Sequence, residues 1–412
     1  MQEVPLLARR TIGTHSTAAA PERAYLVAVQ LKDNRTGLNA DESLDELALL
    51  AHTAGADVVG RTVQRLESPH SATYIGKGKL EELIAERENS GYTLVIFDDE
   101  LSPSQQRNLE DALKVKVLDR TALIIDIFAH RAQTREARLQ VELAQSQYLM
   151  PRLAGQWSHL ERLEGRIGTR GPGESQLETD RRLVRGRITR LQREIDEVRR
   201  QRELHRRRRQ RQGMQVVALV GYTNAGKSTL MRALSGAHVL TEDLLFATLD
   251  PVTRRIRLPS GNEALLTDTV GFIQKLPMQL VASFRATLEE LSDADLLLHL
   301  VDITHENAEE QYATVERTLA DLGLSEKPRI VAFNKVDLLA DADETTDQDG
   351  DGALRRAQDE PPDALGEIEG ALRQEHPEAL LVSAAKKWNL DELLRTIEAE
   401  LSRIAEEAYV PA

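Results

Sequence analysis

The sequence predicts an α/β fold in three parts: a small N-terminal α/β domain, an antiparallel helical hairpin, and a P-loop α/β domain. Three observations predict it. Short apolar runs alternate with helical patterns between residues 22 and 118. Two heptad seams follow across residues 119–212. After them a buried-strand pattern, QVVALV (215–220), runs straight into GYTNAGKS (221–228) and a helical TLMRAL (229–234).

Residues 1–21 read as a flexible tail without the long apolar core of a secretory signal. AYLVAV (24–29), DVVGRTVQRL (57–66), TLVIFDD (93–99) and VKVLD (115–119) are strand patterns. DESLDELALLAHTAG (41–55) sets Leu44, Leu47 and Leu50 on one side of a helix, with Asp41 and Ser43 as candidate caps. GKLEELIAEREN (78–89) and SPSQQRNLEDALK (102–114) are further helices, the second opened by Ser102-Pro103. This βαβαβαβ order argues for a largely parallel sheet within 22–118. Gly76-Lys77-Gly78-Lys79 precedes a helix and suits an anion, but it is not a Walker motif, and a plain strand-to-helix turn also explains it.

In the hairpin, Leu139, Leu143, Ser146, Met150 and Leu153 follow heptad spacing, as do Val184, Ile188, Leu191, Ile195 and Val198. Between the seams lies GRIGTRGPGESQLETDRR (165–182), which reads as non-helical through Gly171-Pro172-Gly173. Ser175 and Glu178 have the spacing of a capping box for the helix restart. Formal charge is −14 overall, yet residues 129–211 hold 21 arginines, no lysine and 11 acidic residues, a net of +10. Such a block is either a solvated, salt-bridged helix or a polyanion-binding arm, and arginine is the side chain suited to phosphate forks and base stacking.

From 213 to 386 the βα alternation returns, and 387–412 form a C-terminal helix (391–408) and tail. The Walker A match gains its force from context: a strand before it and a helix after it. Backbone N–H groups of Gly221, Tyr222, Thr223, Asn224, Ala225 and Gly226 can cradle phosphate oxygens, Lys227 can reach the β and γ phosphates, and the Ser228 hydroxyl can ligate Mg²⁺. LLTDTVGF (265–272) supplies Asp268, Thr269, Val270 and Gly271; Asp268 can hold Mg²⁺ through its water shell, and the Gly271 N–H can meet the γ-phosphate. RIVAFNKVD (329–337) ends in Asn334, Lys335, Val336 and Asp337. A carboxylate at Asp337 can accept from guanine N1 and N2, a donor pair that adenine lacks. Ser383, Ala384 and Ala385 offer backbone N–H groups to guanine O6. The ligands implied are therefore GTP or GDP with Mg²⁺.

LLFATLDPVTRR (244–255) is the candidate first switch, with Phe246, Ala247, Thr248, Leu249 and Asp250 facing the nucleotide. Thr248 is chosen over Thr241 and Thr253 to close on Mg²⁺, because Phe246 and Leu249 can anchor a moving loop and Pro251 ends it. The catalytic candidates are Lys227, Asn224, Thr248 and Gly271, and the metal ligands Ser228 and Thr248. Phe272 follows Gly271 where a glutamine would orient water, so slow intrinsic hydrolysis is expected. Asn224 either helps hold a monovalent cation such as K⁺ beside the phosphates or simply orders its own loop. An acidic insertion, 341–366, interrupts the domain and reads as disordered; its Asp347, Asp349 and Asp351 start an EF-hand pattern, but Gln358 stands where the bidentate glutamate belongs.

With no cysteine there is no disulfide or zinc-thiolate site, and no run of 18 apolar residues marks a membrane span. FATLDPVTR (246–254), DTVGFIQKLP (268–277) and, above all, GRIGTRGPGESQLETDRR (165–182) resemble the HflX family of ribosome-associated GTPases, as do RAQTREARLQVELAQ (131–145) and YIGKGK (74–79). The likeness spans roughly residues 22–405. It implies a cytoplasmic, monomeric GTPase, the third part being a P-loop GTPase domain. It further implies a protein that binds the 50S subunit and separates stalled 70S ribosomes, notably under stress. Its hairpin would then approach 23S rRNA near the peptidyl-transferase region. A GTP-gated rRNA binder or a 50S assembly factor stays open as the alternative.

Overall fold

The computed structural model describes residues 21–32, 39–156, 172–211, 214–236, 245–246, 248–276, 280, 291–343 and 379–408. The tail 1–20, residues 165–171 of the Gly/Arg-rich loop, Thr241, Ala247 and residues 344–366 of the acidic insertion with its EF-hand pattern lie outside them.

The first domain follows the expected alternation: β1 (Arg23–Leu31), α1 (Ala40–Thr53), β2 (Asp57–Leu66), α2 (Lys77–Ser90), β3 (Leu94–Phe97), α3 (Pro103–Leu113) and β4 (Lys116–Asp119). The sheet order is β2-β1-β3-β4 and every pairing is parallel. β1 and β3 are buried on both faces, which is why they read as continuous apolar runs. Ser102 caps α3 through a capping box with Gln105, and Pro103 fills a first position that needs no N–H donor. Asn39, rather than Asp41 or Ser43, stands at the N-cap of α1.

A further helix follows at once: α4 (Arg120–Arg131) buries Leu123, Ile124, Ile125, Ile127 and Phe128. Asp119 caps it by accepting from Ala122 N at 2.8 Å. Then α5 (Arg135–Gln156) and α6 (Pro172–Arg211) pack antiparallel through Leu139, Leu143, Leu191 and Ile195, with Arg187–Glu142 and Arg202–Glu136 bridges flanking the seam. The expected break through Pro172-Gly173 is corrected here. The helix already runs from Pro172, which suits a first helical turn, so the restart is not at the Ser175–Glu178 pair.

The last domain holds β5 (Val216–Gly221), α7 (Lys227–Ser235), β6 (Val252–Arg257), β7 (Glu263–Asp268), β8 (Leu296–Asp302), α8 (Ala308–Asp321), β9 (Arg329–Asn334), α9 (Val336–Asp343), β10 (Leu380–Leu381) and α10 (Leu390–Ala408). Its sheet order is β10-β9-β8-β5-β7-β6, parallel except for the edge strand β6 against β7. Loops at the C-terminal ends of β5, β7, β9 and β10 therefore converge on one rim, where ligands of parallel α/β sheets bind.

Candidate nucleotide-binding site

The loop after β5 is shaped by residues that only glycine can supply cheaply. Gly221 has φ +152°, and a Cβ there would lie 2.4 Å from the Leu300 carbonyl oxygen. Gly226 has φ +94°, and its Cβ would lie 2.2 Å from Asn334 Nδ2. Asn224, at φ +62°, is exposed at the rim. The segment after β7 is stitched to this loop: Phe272 N donates to Gly221 O at 3.1 Å, and Thr223 N to Phe272 O at 2.7 Å. Gly271 passes so close that a Cβ would meet Thr223 Cα at 2.8 Å and Lys227 Nζ at 3.0 Å.

Lys227 opens α7 and is 6% exposed. Its Nζ donates to Gly221 O at 3.1 Å and Tyr222 O at 2.7 Å. Burial pushes its ammonium down to about 8, only partly offset by Asp268. This cation is held in a desolvated place, ready for a strong anion. Ser228 Oγ lies 2.7 Å from Asp268 Oδ2 and 2.8 Å from Thr248 Oγ1, and Thr248 donates to the same carboxylate oxygen at 3.0 Å. Asp268 is 1% exposed, its Oδ1 has no hydrogen-bond partner, and burial raises its pKa. Three hard oxygens around an unsatisfied buried carboxylate fit a divalent cation such as Mg²⁺. Of the competing threonines, Thr253 is committed to Thr267 across the β6–β7 ladder at 3.0 Å. Thr269 is likewise structural, donating to Leu219 O at 2.6 Å.

Asn334 ties the two halves of the rim together. Its Nδ2 donates to Ala225 O at 2.8 Å, and its Oδ1 accepts from Ala384 N at 3.0 Å. Lys335 takes a left-handed φ of +69° and pairs with Asp302 at 2.6 Å. Val336 and Asp337, both buried, begin α9. Ser383 is fully buried and accepts from Lys386 N, next to buried Ala384 and exposed Ala385. The cleft is thus lined at one end by the glycine loop and at the other by Asp337 and 383–385.

Three family models match along the chain: "GTP-binding GTPase N-terminal" over 41–129, "GTP-binding GTPase Middle Region" over 131–209, and "50S ribosome-binding GTPase" over 216–335. The GTPase HflX of Caldanaerobacter subterraneus subsp. tengcongensis is 48% identical over 385 residues, covering 93% of this chain and 82% of that protein. The GTPase HflX of Escherichia coli K12 is 44% identical over 337 residues, covering 82% and 78%. The chain belongs to the HflX family of GTPases. It is a GTP hydrolase that binds GTP and GDP. Among solved structures, a GTP-binding protein of Sulfolobus solfataricus in complex with GDP is 24% identical, with a TM-score of 0.44, covering 93% of this chain and 99% of its own.

The HflX cleft also has neighbours that its motifs do not announce. Phe272 is 2% exposed and packed in a core shared by both sheets' domains, so its position offers water no polar group. Tyr222 OH bonds Glu46 and accepts from Gln274 N at 2.9 Å. Lys275 pairs with Asp98, and with Asp99 at 2.7 Å. Behind them Arg120, fully buried, bonds Glu46 and Asp98. Burial alone would raise Asp98, but Arg120 and Lys275 hold its carboxyl below the ordinary range. No local sequence pattern announces these pairings, whose partners lie far apart along the chain.

Proposed function

We propose that this HflX-family GTPase acts in the cytoplasm as a monomer. It binds the 50S subunit and 23S rRNA through its arginine-rich hairpin and dissociates or rescues stalled 70S ribosomes, with GTP hydrolysis driving release. The observation that carries this is α6, where Arg182, Arg185 and Arg193 are exposed on the helix that follows the Gly/Arg-rich segment in sequence. The match described as a 50S ribosome-binding GTPase supports the same partner. Phosphate contacts of this kind make binding salt-dependent, and arginines can stack on unpaired bases.

In the cleft, Gly221 to Gly226 wrap the phosphates, Lys227 grips the β and γ groups, and Gly271 N–H meets the γ-phosphate. Ser228 and Thr248 ligate Mg²⁺, with Asp268 holding its water shell. When bound, the ion neutralises charge developing between the β and γ phosphates. Asp337 and Ser383-Ala384-Ala385 read guanine, with Asn334, Lys335 and Val336 shaping that end. Asn224 helps hold K⁺ beside the phosphates; equal GTP turnover in K⁺ and Na⁺ buffers removes that role.

Changing Arg166, Arg170, Arg181 and Arg182 together to glutamate is expected to lower co-sedimentation with 50S subunits by at least about tenfold while sparing GTP binding. Unchanged sedimentation contradicts the reading. If a non-hydrolysable GTP analogue supports subunit separation as well as GTP does, and repeatedly, hydrolysis is incidental and the GTP-gated binder is the better account.

A further inference from the structure

The segment that carries Thr248 is fastened to the hairpin. Asp250 Oδ2 accepts from Gln133 N at 2.9 Å and Thr134 N at 3.1 Å, and its Oδ1 accepts from the Thr134 hydroxyl. Thr134 immediately precedes α5; its own Oγ1 accepts from Ala137 N at 3.1 Å and its carbonyl from Arg138 N at 3.1 Å. Thus a carboxylate supplied from 116 residues away sits on the positive end of the first hairpin helix. A second contact lies beside it: Phe246 meets Phe128 edge-on, ring centroids 4.7 Å apart at 85°, and Leu249 is 2% exposed in the same core.

Thr248 and Asp250 are two residues apart, so their Cα atoms can be separated by no more than about 7 Å. Thr248 sits on Ser228 and Asp268 while Asp250 sits on α5. The start of α5 and the Thr248 hydroxyl are thus joined through a short span of chain. From that start, the 22 residues of α5 run about 33 Å toward the loop between the hairpin helices.

We propose that Asp250 is a positioning residue for GTP hydrolysis: by joining the start of α5 to the Thr248 segment, it lets the hairpin set whether Thr248 stands at the Ser228–Asp268 oxygens. This rests on the reading of Thr248 as a Mg²⁺ ligand and needs no ribosomal partner. It also gives Asp250 a different task from contacting nucleotide. Capping carboxylates at helix starts are ordinary stabilisers; what separates this one is its place two residues from a switch threonine.

The test compares the full chain with Asp250→Ala, Asp250→Asn, Thr134→Ala, Thr134→Ser and Thr248→Ala. The readouts are kcat, KM, and the affinities for fluorescent GDP and a fluorescent non-hydrolysable GTP analogue, each with Mg²⁺ and with EDTA. Asp250→Ala is expected to lower kcat and the Mg²⁺-dependent preference for the analogue about ten- to hundredfold, with GDP affinity in EDTA changed less than about twofold. Thr134→Ser, which keeps the hydroxyl, should stay closer to the parent than Thr134→Ala. If Asp250→Ala folds poorly, Asp250→Asn keeps the shape and, having lost the charge on the start of α5, still shows a smaller loss in the same direction. Loss of the preference in Thr248→Ala but not in either Asp250 variant overturns the proposal. Parent values in Thr248→Ala overturn the Mg²⁺ assignment, and the proposal with it.

Discussion

Replacing Asp337 with asparagine is expected to lower GTP affinity by about 10²- to 10⁴-fold and to raise affinity for xanthosine triphosphate. The argument is one of donors and acceptors. A carboxylate offers two acceptors to the N1–H and N2–H₂ of guanine. An asparagine amide offers one acceptor and one donor pair, so its N–H₂ faces the guanine amine and a hydrogen bond becomes a clash of donors. Xanthine carries an oxygen at that position and satisfies the amide. Asp337 is 6% exposed, so little water is at hand to repair the mismatch. Competition of both triphosphates against fluorescent GDP measures the change. Equal loss for both bases would mean that Asp337 supports the start of α9 and does not read the base.

Lys227→Ala is expected to cut affinity for GTP and GDP by at least about 10²-fold while leaving the nucleotide-free chain as stable as the parent, or more so. Its ammonium is buried and its pKa pushed down to about 8. Its bonds to the Gly221 and Tyr222 carbonyls partly offset the cost of desolvating that charge. Removing the cation removes that burden together with those bonds. With phosphate present the balance reverses, because a charge-assisted bond to an anion is among the stronger ones available. Thermal melting with and without GDP separates the two: the variant should lose the nucleotide-induced rise in Tm and keep the basal Tm. A large fall in the basal Tm would instead make Lys227 a structural residue.

Most elements were legible because their periodicity is local. The strand DVVGRTVQRL is found at Asp57–Leu66 as read, and the helix at 102–114 runs Pro103–Leu113 behind its Ser102 cap. The strand-end segments of the cleft were legible for a related reason: phosphate and guanine chemistry demand particular residues at short spacings. Two features were not. The helix Arg120–Arg131 hides because it follows β4 with no intervening turn, its cap Asp119 being the last strand residue, and because its short apolar run from Leu123 reads equally as strand or helix. The break assigned to Pro172-Gly173 failed because proline at the first helical turn costs no hydrogen bond. The long-range contacts of the cleft were illegible in principle. Nothing near Tyr222 reveals that its hydroxyl will meet a glutamate 176 positions earlier, nor that Lys275 will meet Asp98.

Those contacts give the molecule its character. Phe272 supplies no water-positioning group, while Tyr222, Lys275 and Asp250 fasten both edges of the nucleotide loop to the N-terminal domain and the hairpin. If the hairpin holds the Thr248 segment through Asp250, GTP turnover should respond to whatever the hairpin binds. The most direct test is steady-state GTP turnover of the full chain alone, with 50S subunits and with 70S ribosomes, at one stated salt concentration. The account predicts turnover raised by at least about tenfold by 50S or 70S particles, with the rise lost in high salt. Turnover indifferent to both particles at low salt would contradict it.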